Sequence, residues 1–105
     1  MNIYQPTFEN IKFAADKIKK GELAAFPTET VYGLGANGLD PEAVAKIFEA
    51  KKRPSFNPLI LHVSSLHQLE NIAEIPSKLV NQLIKKFWPG PLTLVLPKKN
   101  FVPDI

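Results

Sequence analysis

The sequence predicts a layered α/β fold in which helices cover both faces of a sheet, and three observations lead there. Apolar residues recur at helical spacing in several stretches. Between them lie short apolar runs without polar alternation, the mark of strands buried on both sides. The two kinds of segment interleave in the order helix, strand, possible second strand, helix, strand, helix, helix, strand. The chain has 105 residues, the length of one domain, since single cores usually span about 50 to 200 residues. Three or four strands of about five residues make a narrow sheet, and the sequence stops at Ile105 soon after the last of them with no closing element. The expectation is therefore one domain over residues 1–105 in incomplete form.

Thr7 is placed to cap a first helix, because Ile11, Ala14, Ala15 and Ile18 then fall at i, i+3, i+4 and i+7 on one face, and Gly21 ends it. Leu23 to Phe26 reads as a buried strand stopped by Pro27. The loop Pro27-Thr28-Glu29-Thr30-Val31-Tyr32-Gly33-Leu34-Gly35-Ala36-Asn37-Gly38 alternates small polar and apolar residues, which suits a partial second strand before its glycines break regularity. Asp40-Pro41 is an N-cap and first-turn pair for a second helix whose buried stripe is Val44, Ile47 and Phe48. Arg53 precedes Pro54 and is pushed out of helical geometry. Leu59 to Val63 reads as a buried strand, and Ser65-x-x-Gln68 as a capping box for a short helix carrying Leu66, Leu69 and Ile72. From Ser77, the residues Val80, Leu83, Ile84 and Phe87 mark the last helix. Trp88-Pro89-Gly90-Pro91 then turns the chain into the strand Leu92 to Leu96.

Composition removes whole classes of function. Hydrophobic residues at 45% and charged residues at 22% are those of a globular chain, not a disordered, collagenous or coiled-coil one. The sequence holds no apolar run near the roughly 18 residues of a membrane helix and no N-terminal signal pattern, so the expected location is the cytoplasm, without a membrane partner. Zero cysteines exclude a disulfide scaffold, a thiolate metal site and a cysteine nucleophile; no metal site is assigned to protein residues, and a metal must arrive on a substrate. The net charge of +3 is too mild to declare a nucleic-acid partner. Lysines gather at 17, 19 and 20, at 85 and 86, and at 98 and 99, where those in a last helical turn simply complement the helix dipole.

Two patterns bear on chemistry. Gly33-Leu34-Gly35-Ala36-Asn37-Gly38 matches the G-x-G-x-x-G dinucleotide fingerprint in letters only. There the helix opens inside the glycines and an acidic residue ends the next strand; here Pro41 starts the helix after the third glycine and the next strand ends in His62-Val63. The second pattern is Lys51-Lys52-Arg53-Pro54-Ser55-Phe56-Asn57-Pro58-Leu59, where two prolines stiffen the passage from helix to strand. Alternation would set Lys51, Arg53, Ser55 and Asn57 to one side as a phosphate cradle, with a compact ammonium beside a bidentate guanidinium. The competing reading is a solvated helix C-terminus with dipole-neutralising lysines. His62 is either a hydrogen-bonded strand residue or a ligand contact. Glu29 suits a base, a magnesium-water ligand or a hydrogen-bond acceptor holding the loop, and His67 receives no role.

Taken together, Pro27 to Gly35, Lys51 to Pro54, Asn57 to Val63 and Phe87 to Leu96 resemble the threonylcarbamoyladenylate synthase family, also called YrdC-like domains. Four blocks in the family's order and spacing cover most of the chain. The resemblance implies a three-layer, twisted, mixed sheet around a positively charged cavity, here as the N-terminal portion of a domain nearly twice as long. It implies an enzyme that joins L-threonine, bicarbonate and ATP into L-threonylcarbamoyladenylate with release of pyrophosphate, for the threonylcarbamoyl modification of tRNA adenosine 37. By motif, Lys51 and Arg53 match the pair that holds ATP phosphates and Asn57 a further ATP contact. Thr30 and His62 match L-threonine contacts, and Thr28 and Tyr32 belong to the same pocket-forming loop. The family completes its nucleotide site with a Ser-x-Asn motif beyond position 105, so the chain alone is expected to lack part of the machinery.

The chemistry suits these residue types. Threonine's amine captures bicarbonate as a carbamate, whose oxygen attacks the α-phosphorus of ATP in line with departing pyrophosphate. Both partners are anionic, so cations and Mg²⁺ carried on ATP accomplish the task by charge neutralisation and positioning, and no residue is assigned as a covalent nucleophile or an acid-base catalyst. Downstream tRNA-modification proteins would consume the product. The alternative from another class is a noncatalytic module binding double-stranded RNA or tRNA through the basic clusters.

Overall fold

A computed structural model of the chain describes residues 2–52, 54 and 58–105. The elements follow in the order α1 (Phe8–Lys19), β1 (Ala24–Phe26), β2 (Gly33–Gly35), α2 (Pro41–Lys51), α3 (Leu66–Ile72) and α4 (Lys78–Phe87). The structure is thus mixed α/β. They fall into two compact units, residues 1–59 with 103–105 and residues 60–102.

In the first unit Thr7 caps α1 as its position predicts, its hydroxyl accepting from Asn10 N at 3.2 Å. The helix ends at Lys20, and Gly21 takes a left-handed φ of 86° that lets the chain reverse into β1. The expected buried stripe of α1 is only partly covered: no residue of this helix is fully buried. Ile11, Ala14, Ala15 and Ile18 instead line an open apolar cleft with Ala24, Ala25 and Phe26. β1 and β2 form an antiparallel two-stranded sheet, with Ala24 opposite Gly35, Ala25 opposite Leu34 and Phe26 opposite Gly33. Asp40 caps α2, its carboxylate accepting from Glu42 N at 3.0 Å and Ala43 N at 3.4 Å, and Pro41 opens the first turn. Ala43, Val44, Ile47 and Phe48 are buried, at the i, i+1, i+4, i+5 spacing of one helical face.

In the second unit Leu69, Ala73, Val80 and Ile84 form a core between α3 and α4, with Val63, Ile72, Ile75, Trp88, Leu94 and Leu96 packed around it. Ser65 caps α3, accepting from Gln68 N at 3.2 Å. The return half of the capping box is shifted by one residue: the Gln68 side chain accepts from Ser64 N at 2.8 Å.

Two expected strands are absent as strands. Residues 59–63 and 92–96 carry no ladder among the described residues, so the sheet seen among them has two antiparallel strands rather than the expected three or four. The apolar runs specified which side chains seek cover, but a strand also needs a neighbour to hydrogen-bond, and composition does not supply one. The 92–96 segment still behaves as a half-buried extended chain: Leu92, Leu94 and Leu96 turn inward while Thr93 and Val95 are exposed. Its end is tied to the exit of α3 instead. Glu74 N donates to Pro97 O and Lys99 N to Ile72 O, each at 2.8 Å, around an antiparallel bridge between Ala73 and Lys98.

Candidate active site

The loop from Pro27 to Tyr32 joins the two strands and is organised by one side chain. The Thr28 hydroxyl donates to Val31 O in a short hydrogen bond, and it accepts from Thr30 N at 3.3 Å. The two threonine hydroxyl oxygens lie 3.4 Å apart. A hydroxyl has one proton and two lone pairs. With its proton committed to Val31 O, Thr28 is the acceptor in that contact and Thr30 the donor. Thr28 is thereby saturated within the turn, whereas the Thr30 oxygen keeps lone pairs for a ligand's donor. Both side chains are exposed, so neither is sealed from a ligand.

The flanking glycines fix this loop to the strands. A β-carbon at Gly33 would stand 3.4 Å from Thr28 Cγ2, and one at Gly35 only 2.6 Å from the Phe26 ring; the close approach across β2 thus depends on a missing side chain. The side chains of Glu29, Val31 and Tyr32 are exposed.

Lys51, the last residue of α2, is also exposed. Lys52 follows with a left-handed φ of 51°, its N–H donating to Phe48 O and Glu49 O, and so turns the chain sharply off the helix. Arg53 and Asn57, the remaining ATP-contact expectations, lie outside the described residues, so the cradle is represented by Lys51 alone. His62 belongs to the second unit, where it is exposed and sits in no strand, which removes the reading of a core histidine. Thus Thr28 and Thr30 are brought into direct contact in one turn.

The dinucleotide fingerprint is absent in geometry as well as in context. Gly33 and Gly35 lie inside β2, and α2 begins at Pro41, beyond Gly38, so no helix N-terminus opens within the glycines. Among the described residues no three His, Asp or Glu side chains gather as a metal site, and no helix is long and apolar enough to cross a membrane. Sequence reasoning gave Thr28 only a place in the pocket and missed its organising bonds. The signal was present in the Thr-x-Thr spacing, because a threonine hydroxyl readily bonds backbone groups two and three residues on.

Comparison with known proteins adds an independent line. The Sua5–YciO–YrdC family pattern, described as telomere recombination, matches residues 16–105. A threonylcarbamoyl-AMP synthase of Pyrococcus abyssi is 62% identical over 96 residues, covering 90% of this chain and 28% of that protein. One from Bacillus subtilis is 54% identical over 86 residues, covering 82% of this chain and 25% of that protein. The crystal structure of Pyrococcus abyssi Sua5 complexed with L-threonine superposes with a TM-score of 0.88 at 56% identity, over 95% of this chain and 29% of that one. The chain therefore spans between a quarter and a third of the length of these relatives.

Proposed function

Because the chain belongs to the Sua5–YciO–YrdC family, we propose that it forms the N-terminal part of a threonylcarbamoyl-AMP synthase domain, and that the 27–32 loop is its amino-acid site. The observation that carries this reading is the Thr28–Thr30 turn, which leaves the Thr30 oxygen able to accept from a ligand's ammonium or hydroxyl group. The naming of close relatives as threonylcarbamoyl-AMP synthases, and the L-threonine complex of a similar structure, support it.

In this proposal L-threonine, bicarbonate and the magnesium salt of ATP are the substrates. The amine nitrogen attacks the bicarbonate carbon, and loss of a proton and of hydroxide leaves the carbamate. A carbamate oxygen then attacks the α-phosphorus, and the bond to the bridging oxygen breaks as pyrophosphate departs with its electron pair. Thr30 holds threonine, with Thr28 and Tyr32 shaping the loop, while Lys51, Arg53 and Asn57 meet the nucleotide. Two anions must approach each other, so a cation that neutralises phosphate charge lowers the barrier without a covalent nucleophile. The product is handed in the cytoplasm to tRNA-modification proteins acting on adenosine 37.

The test is pyrophosphate release from Mg-ATP by the protein. Release that requires both L-threonine and bicarbonate, and that falls at least about tenfold in Lys51→Ala through loss of one charge-assisted phosphate contact, is the expected result. Release indifferent to threonine, or unchanged by Lys51→Ala, contradicts the proposal.

A further inference from the structure

We infer that Thr28 is a positioning residue that sets the Thr30 hydroxyl for amino-acid recognition, an inference that rests on the 27–32 loop being the threonine site. Four contacts hold Thr28. Its hydroxyl proton goes to Val31 O. Its lone pairs take the Thr30 amide at 3.3 Å and face the Thr30 hydroxyl at 3.4 Å. Its methyl carbon lies over Gly33, near enough that a β-carbon there would stand only 3.4 Å away. The hydroxyl therefore ties together the backbone on both sides of Thr30 and orients its side chain.

Each bond has a consequence for specificity. Because Thr28 accepts from Thr30 Oγ1, the Thr30 proton points inward and its lone pairs are left for the ligand. A turn lacking the Thr28 hydroxyl frees the Thr30 amide and lets the Thr30 rotamer wander, so the ligand must then order it on binding. Discrimination between amino acids that differ by one methyl is worth only about 10- to 200-fold even in a well-formed pocket. A loosened Thr30 is thus expected to erode selectivity as well as affinity.

Two nearly isosteric substitutions separate hydroxyl from methyl: Thr28→Val keeps the shape and loses the bonds, and Thr28→Ser keeps the bonds and loses the methyl. The experiment titrates the 105-residue chain with L-threonine and with L-serine by NMR, and follows hydrogen exchange at the Thr30 amide, for wild type, Thr28→Val, Thr28→Ser and Thr30→Val. The expected result is about tenfold weaker L-threonine binding in Thr28→Val, the order of one lost orienting hydrogen bond. A reduced threonine-to-serine ratio, faster exchange at Thr30, and near wild-type behaviour in Thr28→Ser should accompany it. Wild-type affinity in Thr28→Val, or equal losses in Thr28→Val and Thr28→Ser, overturns the positioning role while leaving the threonine site standing. Absence of L-threonine binding by wild type, or binding untouched by Thr30→Val, removes the amino-acid site itself and this inference with it.

Discussion

The ring of Phe26 lies across the backbone of Gly35: a β-carbon there would sit 2.6 Å from Phe26 Cε1 and 2.9 Å from Cζ. The residues are not register partners, since Phe26 stands opposite Gly33 and Ala24 opposite Gly35. The ring therefore reaches diagonally across the strand pair to the far end of β2. Gly35→Ala must displace it, and the overpacking should cost about 1–3 kcal/mol. Gly33→Ala meets the Thr28 methyl at 3.4 Å and Phe26 Cε2 at 3.8 Å, both ordinary contacts, and should cost less. Chemical denaturation of both variants checks this ordering.

A second prediction concerns α3, whose seven residues are too few to be stable alone. Its start relies on Ser65 Oγ accepting from Gln68 N and on the Gln68 side chain accepting from Ser64 N at 2.8 Å. Ser65→Ala should cost about 1 kcal/mol, visible as faster amide exchange through 66–69. Ser65→Asp, which preserves the acceptor, should restore protection.

The core of the second unit sets a third expectation. Ile84 is buried at 7% exposure among Leu69, Ala73 and Val80, so Ile84→Ala leaves a cavity and should destabilise by about 2–5 kcal/mol. Leu79, on the same helix, is 60% exposed; its replacement by Ala should change stability by no more than about 0.5 kcal/mol. Comparable losses at the two positions, measured by urea denaturation, would contradict this division of α4 into a buried and a solvated face.

The helices were legible because their signals are local. Thr7, Asp40 and Ser65 each cap the helix that the sequence assigns to them, and the buried face of α2 follows the apolar spacing, as does that of α4 at Val80 and Ile84, while Phe87 at its end stays exposed. Sheet formation was not legible in the same way, because a ladder depends on residues distant in the chain. Residues 92–96 kept their inward and outward alternation yet found their backbone partners only at their far end, beside Ile72 and Glu74. The α1 stripe shows the same limit: spacing identifies Ile11 as apolar-face, but cover is a tertiary property, and Ile11 stays 58% exposed. In the candidate site, residue types pointed to the Thr30 loop, whereas the bonds that make Thr28 its organiser became visible only with the turn folded.

The most direct measurement of the central claim is a residue-resolved NMR titration of the chain with L-threonine. Saturable shifts centred on the amides of Thr28, Thr30 and Val31 are the predicted result. Shifts confined to other residues, or no saturable shifts at all, would contradict the assignment of this loop.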